Sequence, residues 1–283
     1  MTRVIHFAFP FTPPLSLYIR LTHPALAFPV HSRLLPSFLH SSKLNTLAVT
    51  RNIRTMTADA TTAANGAKKP VVCVFCGASA GNSPAHLAAA RDLAKAFHEN
   101  GINLVYGGGT VGVMGEVAKT LVSLSGPSSV HGIIPEALLK YERKGENGET
   151  VSLEKLIDEK LYGKTTVVKD MHERKAMMAK EVIESGPGGG FVALSGGYGT
   201  LEELMEVVTW NQLGIHARGV VVFNVEGYWD GLLQWVKKSV NEGFVGEGNA
   251  NIMVEGKTAS EVVQQLKNYK NAEGRFQLNW GQK

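Results

Sequence analysis

Three apolar runs in this chain show no alternation: Val71-Val-Cys-Val-Phe75, Phe191-Val-Ala-Leu194 and Gly219-Val-Val-Val-Phe223. A strand with one wet face alternates apolar and polar residues, so unbroken runs of this length belong to strands covered on both faces. Shorter runs at Asn103-Leu-Val-Tyr106, Val130-His-Gly-Ile-Ile134 and Thr165-Thr-Val-Val168 complete a set of six. Helical patterns separate them, at about 84–100, up to about 123, through MHERKAMMAK, and at 200–213, 228–241 and 260–268. Strand and helix in alternation predict an α/β fold, a single domain with one parallel β-sheet and helices on both faces. Ligands of such sheets bind beyond the carboxyl ends of the strands. Three glycine- or serine-bearing loops fall there: Gly77-Ala-Ser79, Gly107–Gly115 and Ser195–Thr200. The polar or glycine-rich stretches 141–163 and 184–190 read as surface insertions.

Charge divides the chain. Residues 1–58 carry six basic residues (Arg3, Arg20, Arg33, Lys43, Arg51, Arg54) and no acid before Asp59, leaving 23 basic against 25 acidic residues in the remainder. The acid-free stretch has the composition of a transit segment. It equally fits a disordered leader, or a chain whose translation begins at Met56. Residues 1–69 are therefore set apart from a folded domain over 70–283. The expected location is the cytoplasm, or the mitochondrion if the transit reading holds. The near-neutral remainder has no nucleic-acid footprint, and no apolar run approaches a membrane span.

Gly107, Gly109 and Gly112 satisfy G-x-G-x-x-G after a strand, but in the second strand–helix unit and without a suitable ribose-binding acid. A plain packing turn explains them, as does a mononucleotide phosphate site with Ser79, Gly108, Gly109 and Thr110 as candidate ligands. Cys73 and Cys76 lie three apart in a strand and so face opposite ways, which suits buried structural thiols rather than a redox pair. No spacing suggests a metal site, and no G-x-S-x-G occurs.

Two stretches carry the chemistry. In Met171-His-Glu-Arg-Lys-Ala-Met-Met178, helical periodicity puts Met171, Lys175, Met178 and Val182 on one stripe with Arg174 at its edge. A cation there needs an anionic partner, a ligand or carboxylate for Arg174, unless it snorkels to water as Lys175 can. In Ser195-Gly-Gly-Tyr-Gly-Thr-Leu-Glu-Glu203, a loop suited to phosphate runs into carboxylates instead of a lysine. Thr200-x-x-Glu203 fits a capping box, a purely local device. Glu202, Glu203 and Glu206 together exceed what capping needs. A sugar phosphate reconciles them: amides take the phosphate, and carboxylates face ribose hydroxyls and the cationic state of glycosidic cleavage. That points to cleavage of a nucleotide's N-glycosidic bond.

At these residues the sequence resembles the Lonely-guy family, the cytokinin riboside 5′-monophosphate phosphoribohydrolases, often mislabelled lysine decarboxylases. The family pattern P-G-G-x-G-T-x-x-E matches Ser195–Glu203 with serine for proline, and M-H-x-R-K matches Met171–Lys175. VFCGAS, YGGGTVGVMG and WNQLGIH resemble further family blocks, so the likeness covers about residues 70–245. It implies a Rossmann-like homodimer without NAD, metal or other cofactor, acting on a small-molecule nucleotide and on neither nucleic acid nor membrane. The implied reaction splits N6-substituted AMP into free cytokinin base and ribose 5-phosphate. Arg174 and Glu203 correspond to the catalytic pair, and Gly196, Gly197, Tyr198, Gly199, Thr200 and Leu201 to the substrate loop, with Lys175 and Glu202 as further contacts. Another family glutamate falls where this chain is longer; Glu142 is the candidate, with Glu146 or Glu149 as alternatives. Two other readings remain open: a nucleosidase acting on AMP in nucleotide salvage, and a non-catalytic nucleotide-binding module built on Gly107–Gly112. ESGPGGG (184–190) and the 141–163 stretch depart from the family pattern.

Overall fold

A computed structural model describes residues 68–142 and 157–280, without the side chains of 140–142. The leader reading of residues 1–69 thus falls almost wholly outside the described residues, as do Glu146 and Glu149. Strand β1 (Val71–Phe75) is followed by α1 (Pro84–Glu99), β2 (Asn103–Tyr106), α2 (Gly112–Ser125), β3 (Val130–Pro135), α3 (Glu136–Glu142), α4 (Glu159–Tyr162) and β4 (Lys164–Val168). Then come α5 (Met171–Ile183), β5 (Gly190–Ala193), α6 (Tyr198–Gln212), β6 (Gly219–Phe223), α7 (Asp230–Asn241), β7 (Met253–Gly256) and α8 (Ala259–Asn268).

The seven strands form one parallel sheet in the order β4-β3-β2-β1-β5-β6-β7. Strand order reverses between β1 and β5, which opens a crevice at their carboxyl ends. The unbroken apolar strands are buried on both sides as expected. Val72, Val74 and Cys76 pack with α1, α2 and α8, while Cys73 and Phe75 pack with α5, α6 and α7. The two thiols therefore sit on opposite faces, both free and buried, and burial raises the pKa of each.

The sheet has one strand more than the six expected. Met253-Val-Glu-Gly256 is a four-residue edge strand pairing only with β6, and it contains a charge. So short a segment, two residues buried and two half-buried, leaves no periodic signal.

The stretch 184–190 is not a surface insertion. Gly186 N donates to Lys69 O at 3.0 Å, and a Cβ on Gly189 or Gly190 would stand 2.7 Å from Val71 O or 2.6 Å from Gly219 O. Its glycines let the chain pass between the starts of β1 and β6. Arg218 donates to the carbonyls of Ile183, Ser185 and Gly186, closing the carboxyl end of α5 with a cation, as the helix dipole favours.

Between α6 and β6, His216 is 3% exposed. Its Nε2 is 2.8 Å from Val207 O, and its Nδ1 accepts from Arg218 N at 3.1 Å. A second proton would have to sit on Nδ1, facing that N–H. Burial pushes the pKa down to about 4 from the ordinary 6.5. The unfolded chain therefore binds this proton more readily. The contribution is whole above pH 6.5 and is lost as pH falls from there through about 4, on the order of 3 kcal/mol if the full shift is realised. Thermal melts from pH 7.5 to 4 are expected to show Tm falling across this window, and falling less steeply in His216→Gln.

Candidate active site

The crevice at the β1/β5 switch is a cleft of about 500 Å³. The loop after β1 (Gly77–Gly81) forms one wall, with His86 from α1 and Val113 and Met114 from α2 beside it. Ser195, Gly196, Gly197, Gly199 and Thr200 form the other wall, and Arg174, Glu203 and Tyr228 complete the lining. The two loops touch: Gly77 N donates to Ser195 O at 3.0 Å, and a Cβ on Gly196 would lie 2.1 Å from Thr200 Oγ1 and 2.8 Å from Gly77 N. No side chain larger than hydrogen fits at Gly196.

Arg174 from α5 and Glu203 from α6 meet in this lining, Nη2 to Oε1 at 2.8 Å, with residue exposures of 7% and 6%. The inward face of α5 is Arg174, Met178, Ala179 and Val182; Met171 is exposed at the helix start. The stripe expected from sequence is thus turned by about one position, and the arginine lies on it, not at its edge. Gly107 makes the room: a Cβ there would stand 2.8 Å from Nη2. Arg174 Nε is buried without a hydrogen-bond partner. Such an orphaned donor costs about 1–3 kcal/mol unless a ligand meets it. Burial holds the Glu203 carboxyl above the usual carboxylate range, and the attraction of Arg174 only partly offsets that.

The capping box at Thr200-x-x-Glu203 does not form. Helix α6 starts at Tyr198 with Gly197 as its cap, so Thr200 is already inside the first turn and Glu203 points to Arg174. The N-terminus of α6 has no side-chain cap. Three other helix starts are closed: Ser83 caps α1, Asp170 caps α5, and the α2 amides of Val113 and Met114 donate to Ser79 O and Gly77 O. Among these four, α6 alone has its first amides left to a ligand, and a helix start attracts anions.

The other candidates separate. Glu202 and Glu206, one turn apart on α6, bind Lys175 at 2.6 and 3.3 Å outside the cleft lining, and this pairing raises the lysine pKa. Of the three glutamates, only Glu203 reaches the cleft. Tyr198, 95% exposed, and Leu201 lie on the outer face of α6, where they line a neighbouring apolar groove with Tyr228 and Trp235. Ser79 lines the cleft; Gly108, Gly109 and Thr110 do not. Gly108, at φ +75°, packs on Ile133 and Ile134, and Gly112, at φ +62°, would place a Cβ 2.4 Å from the Ala78 backbone. The G-x-G-x-x-G stretch is therefore a packing turn that also houses Arg174. Glu142 ends α3, and nothing of its side chain is described.

His86 and Tyr228 line the cleft and were not expected there. His86 follows Ser83-Pro84, a legible helix start, so its place beside the β1 loop had a local signal. Tyr228 had none. Among the described residues, no group of three or more His, Cys, Asp or Glu could hold a metal ion, and no helix is long and apolar enough to cross a membrane.

A family model described as "Possible lysine decarboxylase" matches residues 114–266, more than half of the chain. The chain is 53% identical over 218 residues to a bifunctional cytokinin biosynthesis protein of Fusarium pseudograminearum, covering 76% of this chain and 44% of that protein. It is 43% identical over 198 residues to the cytokinin riboside 5′-monophosphate phosphoribohydrolase LOG1 of Arabidopsis thaliana, covering 70% of this chain and 83% of that protein. A solved molybdenum cofactor carrier protein of Chlamydomonas reinhardtii matches with TM-score 0.47 at 18% identity, over 71% of this chain and 97% of that one. From the extent of the family match and the identity to LOG1, which it covers almost throughout, the chain belongs to the Lonely-guy family, the group that carries the lysine decarboxylase description.

Proposed function

We propose that this protein hydrolyses the N-glycosidic bond of cytokinin riboside 5′-monophosphates, releasing free cytokinin base and ribose 5-phosphate. The observation that carries the reading is the buried Arg174–Glu203 pair in a cleft whose wall is the uncapped start of α6. The names of relatives at 42–44% identity, all cytokinin riboside 5′-monophosphate phosphoribohydrolases, support the substrate class.

In this mechanism the 5′-phosphate rests on the first amides of α6, at Tyr198, Gly199 and Thr200. Glu203 lies three to five residues further along, about 4.5–7.5 Å of helix axis, a distance for the ribose to bridge. The C1′–N bond breaks with its electron pair leaving on the base, which takes a proton. Glu203 stabilises the oxocarbenium-like sugar and accepts a proton from the water that adds to C1′. Arg174 orients Glu203 through Nη2 and keeps further donors for the nucleotide. The assembly we infer is a homodimer, supported by exposed apolar side chains at Leu201, Trp235 and Phe244.

Incubation with isopentenyl-AMP followed by chromatography is expected to yield isopentenyladenine and ribose 5-phosphate in equal amounts; folded protein that releases no base overturns the reading. A comparison of kcat/KM for AMP and isopentenyl-AMP is expected to favour the substituted nucleotide; preference for AMP would make it a salvage nucleosidase. Glu203→Gln is expected to lower kcat by at least about 100-fold, the scale of losing one preorganised electrostatic group, while retaining a cooperative melt. Inactivity with loss of the melt would return Glu203 to a structural role. Light scattering is expected to give roughly twice the 30.5 kDa chain mass.

A further inference from the structure

Ser195 stands where the family pattern has proline. Proline fixes its own φ and removes a donor, whereas serine leaves the chain free to turn. The peptides after Ser195 need their orientation fixed, because they lead directly into the α6 amides proposed to meet the anion. Three contacts do this. Gly77 N donates to Ser195 O at 3.0 Å, and the Tyr228 hydroxyl donates to Gly196 O. The Ser195 hydroxyl shares a 3.0 Å hydrogen bond with His86 Nδ1. His86 then packs edge-on against the Tyr228 ring, centroids 5.9 Å apart at 78°.

A trans peptide is planar, so its N–H points opposite to its C=O. Pinning Ser195 O to Gly77 aims the Gly196 N–H the other way, and pinning Gly196 O to Tyr228 does the same for the Gly197 N–H. The two carbonyls that would repel an anion are each held by a donor. The side chains responsible come from separate parts of the chain: α1, the β5 exit and the segment before α7.

We infer that His86, Ser195 and Tyr228 form a clamp that orients the anion loop in place of the family proline. His86 and Tyr228 are thus positioning residues for the 5′-phosphate. The inference rests on the proposed binding of that phosphate by this loop. It predicts an exchange: with proline at 195, the histidine contact is no longer needed.

The test uses the full chain, with ribose 5-phosphate binding by calorimetry and steady-state turnover of isopentenyl-AMP. Ser195→Ala and Tyr228→Phe are expected to weaken ribose 5-phosphate binding and raise KM by roughly five- to tenfold each, the fold-change of one lost hydrogen bond. kcat is expected to change far less, and thermal melts to stay cooperative. Ser195→Pro is expected to restore both constants to near the parent values, and His86→Ala to have its effect in the parent but not in the proline background. Unchanged binding and KM in Ser195→Ala and Tyr228→Phe would overturn the clamp, as would a His86→Ala effect of equal size in both backgrounds. A parent protein that neither binds ribose 5-phosphate nor turns over nucleotide would instead remove the functional reading, and the clamp with it.

Discussion

A guanidinium and a carboxylate, both nearly out of water, face each other where β1 and β5 part. Each buried charge costs several kcal/mol in lost hydration, so the pair persists only while both members stay in contact. That requirement reaches outward. It calls for α5 and α6 to start on the same side of the sheet, so that their first turns lie side by side. It calls for glycine at 107, where any side chain would strike the guanidinium. Desolvation still outweighs the arginine's attraction, and the Glu203 carboxyl remains above its usual range. Burial in a cleft that raises a carboxyl group suits the role proposed for Glu203.

The helix starts around the pair divide the remaining work. Asp170 accepts from Glu173 N at 2.9 Å, and Glu173 accepts from Lys169 N at 3.2 Å, so α5 satisfies its own first amides. Such an end anchors Arg174 and offers nothing to an anion. Helix α2 gives its amides to the β1 loop, which ties that loop down. Helix α6 begins on glycine and keeps its amides open. Local sequence thus decides which helix anchors Arg174 and which leaves its first amides open, as the proposed phosphate site requires.

Much of this was legible before any coordinates. Continuous apolar strands gave the parallel sheet because burial on both faces removes alternation, and the opposed cysteines followed from strand geometry alone. Arg174 read as needing an anionic partner, a ligand or a carboxylate, because a cation among methionines has few other outcomes. The failures are equally physical. Thr200-x-x-Glu203 and Asp170-x-x-Glu173 both fit a capping pattern, and only the second caps; periodicity cannot say that α6 begins two residues earlier, at Tyr198. The grouping of Glu202, Glu203 and Glu206 ignored that neighbours on a helix diverge by about 100°, which sends two of them to Lys175. ESGPGGG read as surface because its glycines mark close backbone approach as readily as exposure, and β7 escaped because four residues, two buried and two half-buried, carry no period.

The far end of α6 is closed where the near one is open. Asn211 O accepts from Arg275 Nε at 2.8 Å, Gln212 O from Phe276 N at 2.8 Å, and Leu213 O from the Trp280 indole at 3.0 Å; Arg275 also reaches His216 O. These donors come from a segment beyond residue 266, where the family match ends. Gly214, at φ +80°, lets the segment approach, since a Cβ there would meet Phe276 O at 2.3 Å. The negative pole of α6 is therefore closed by an arginine and an indole, while the positive pole opens on the cleft. Each pole acts within about one turn of its own end, so the closure satisfies the last carbonyls of α6 and leaves the bare amides at its start as they were. The strap thus fixes the carboxyl end of α6, and the polarity left for a ligand is that of the bare amides at its start, the place proposed for the phosphate.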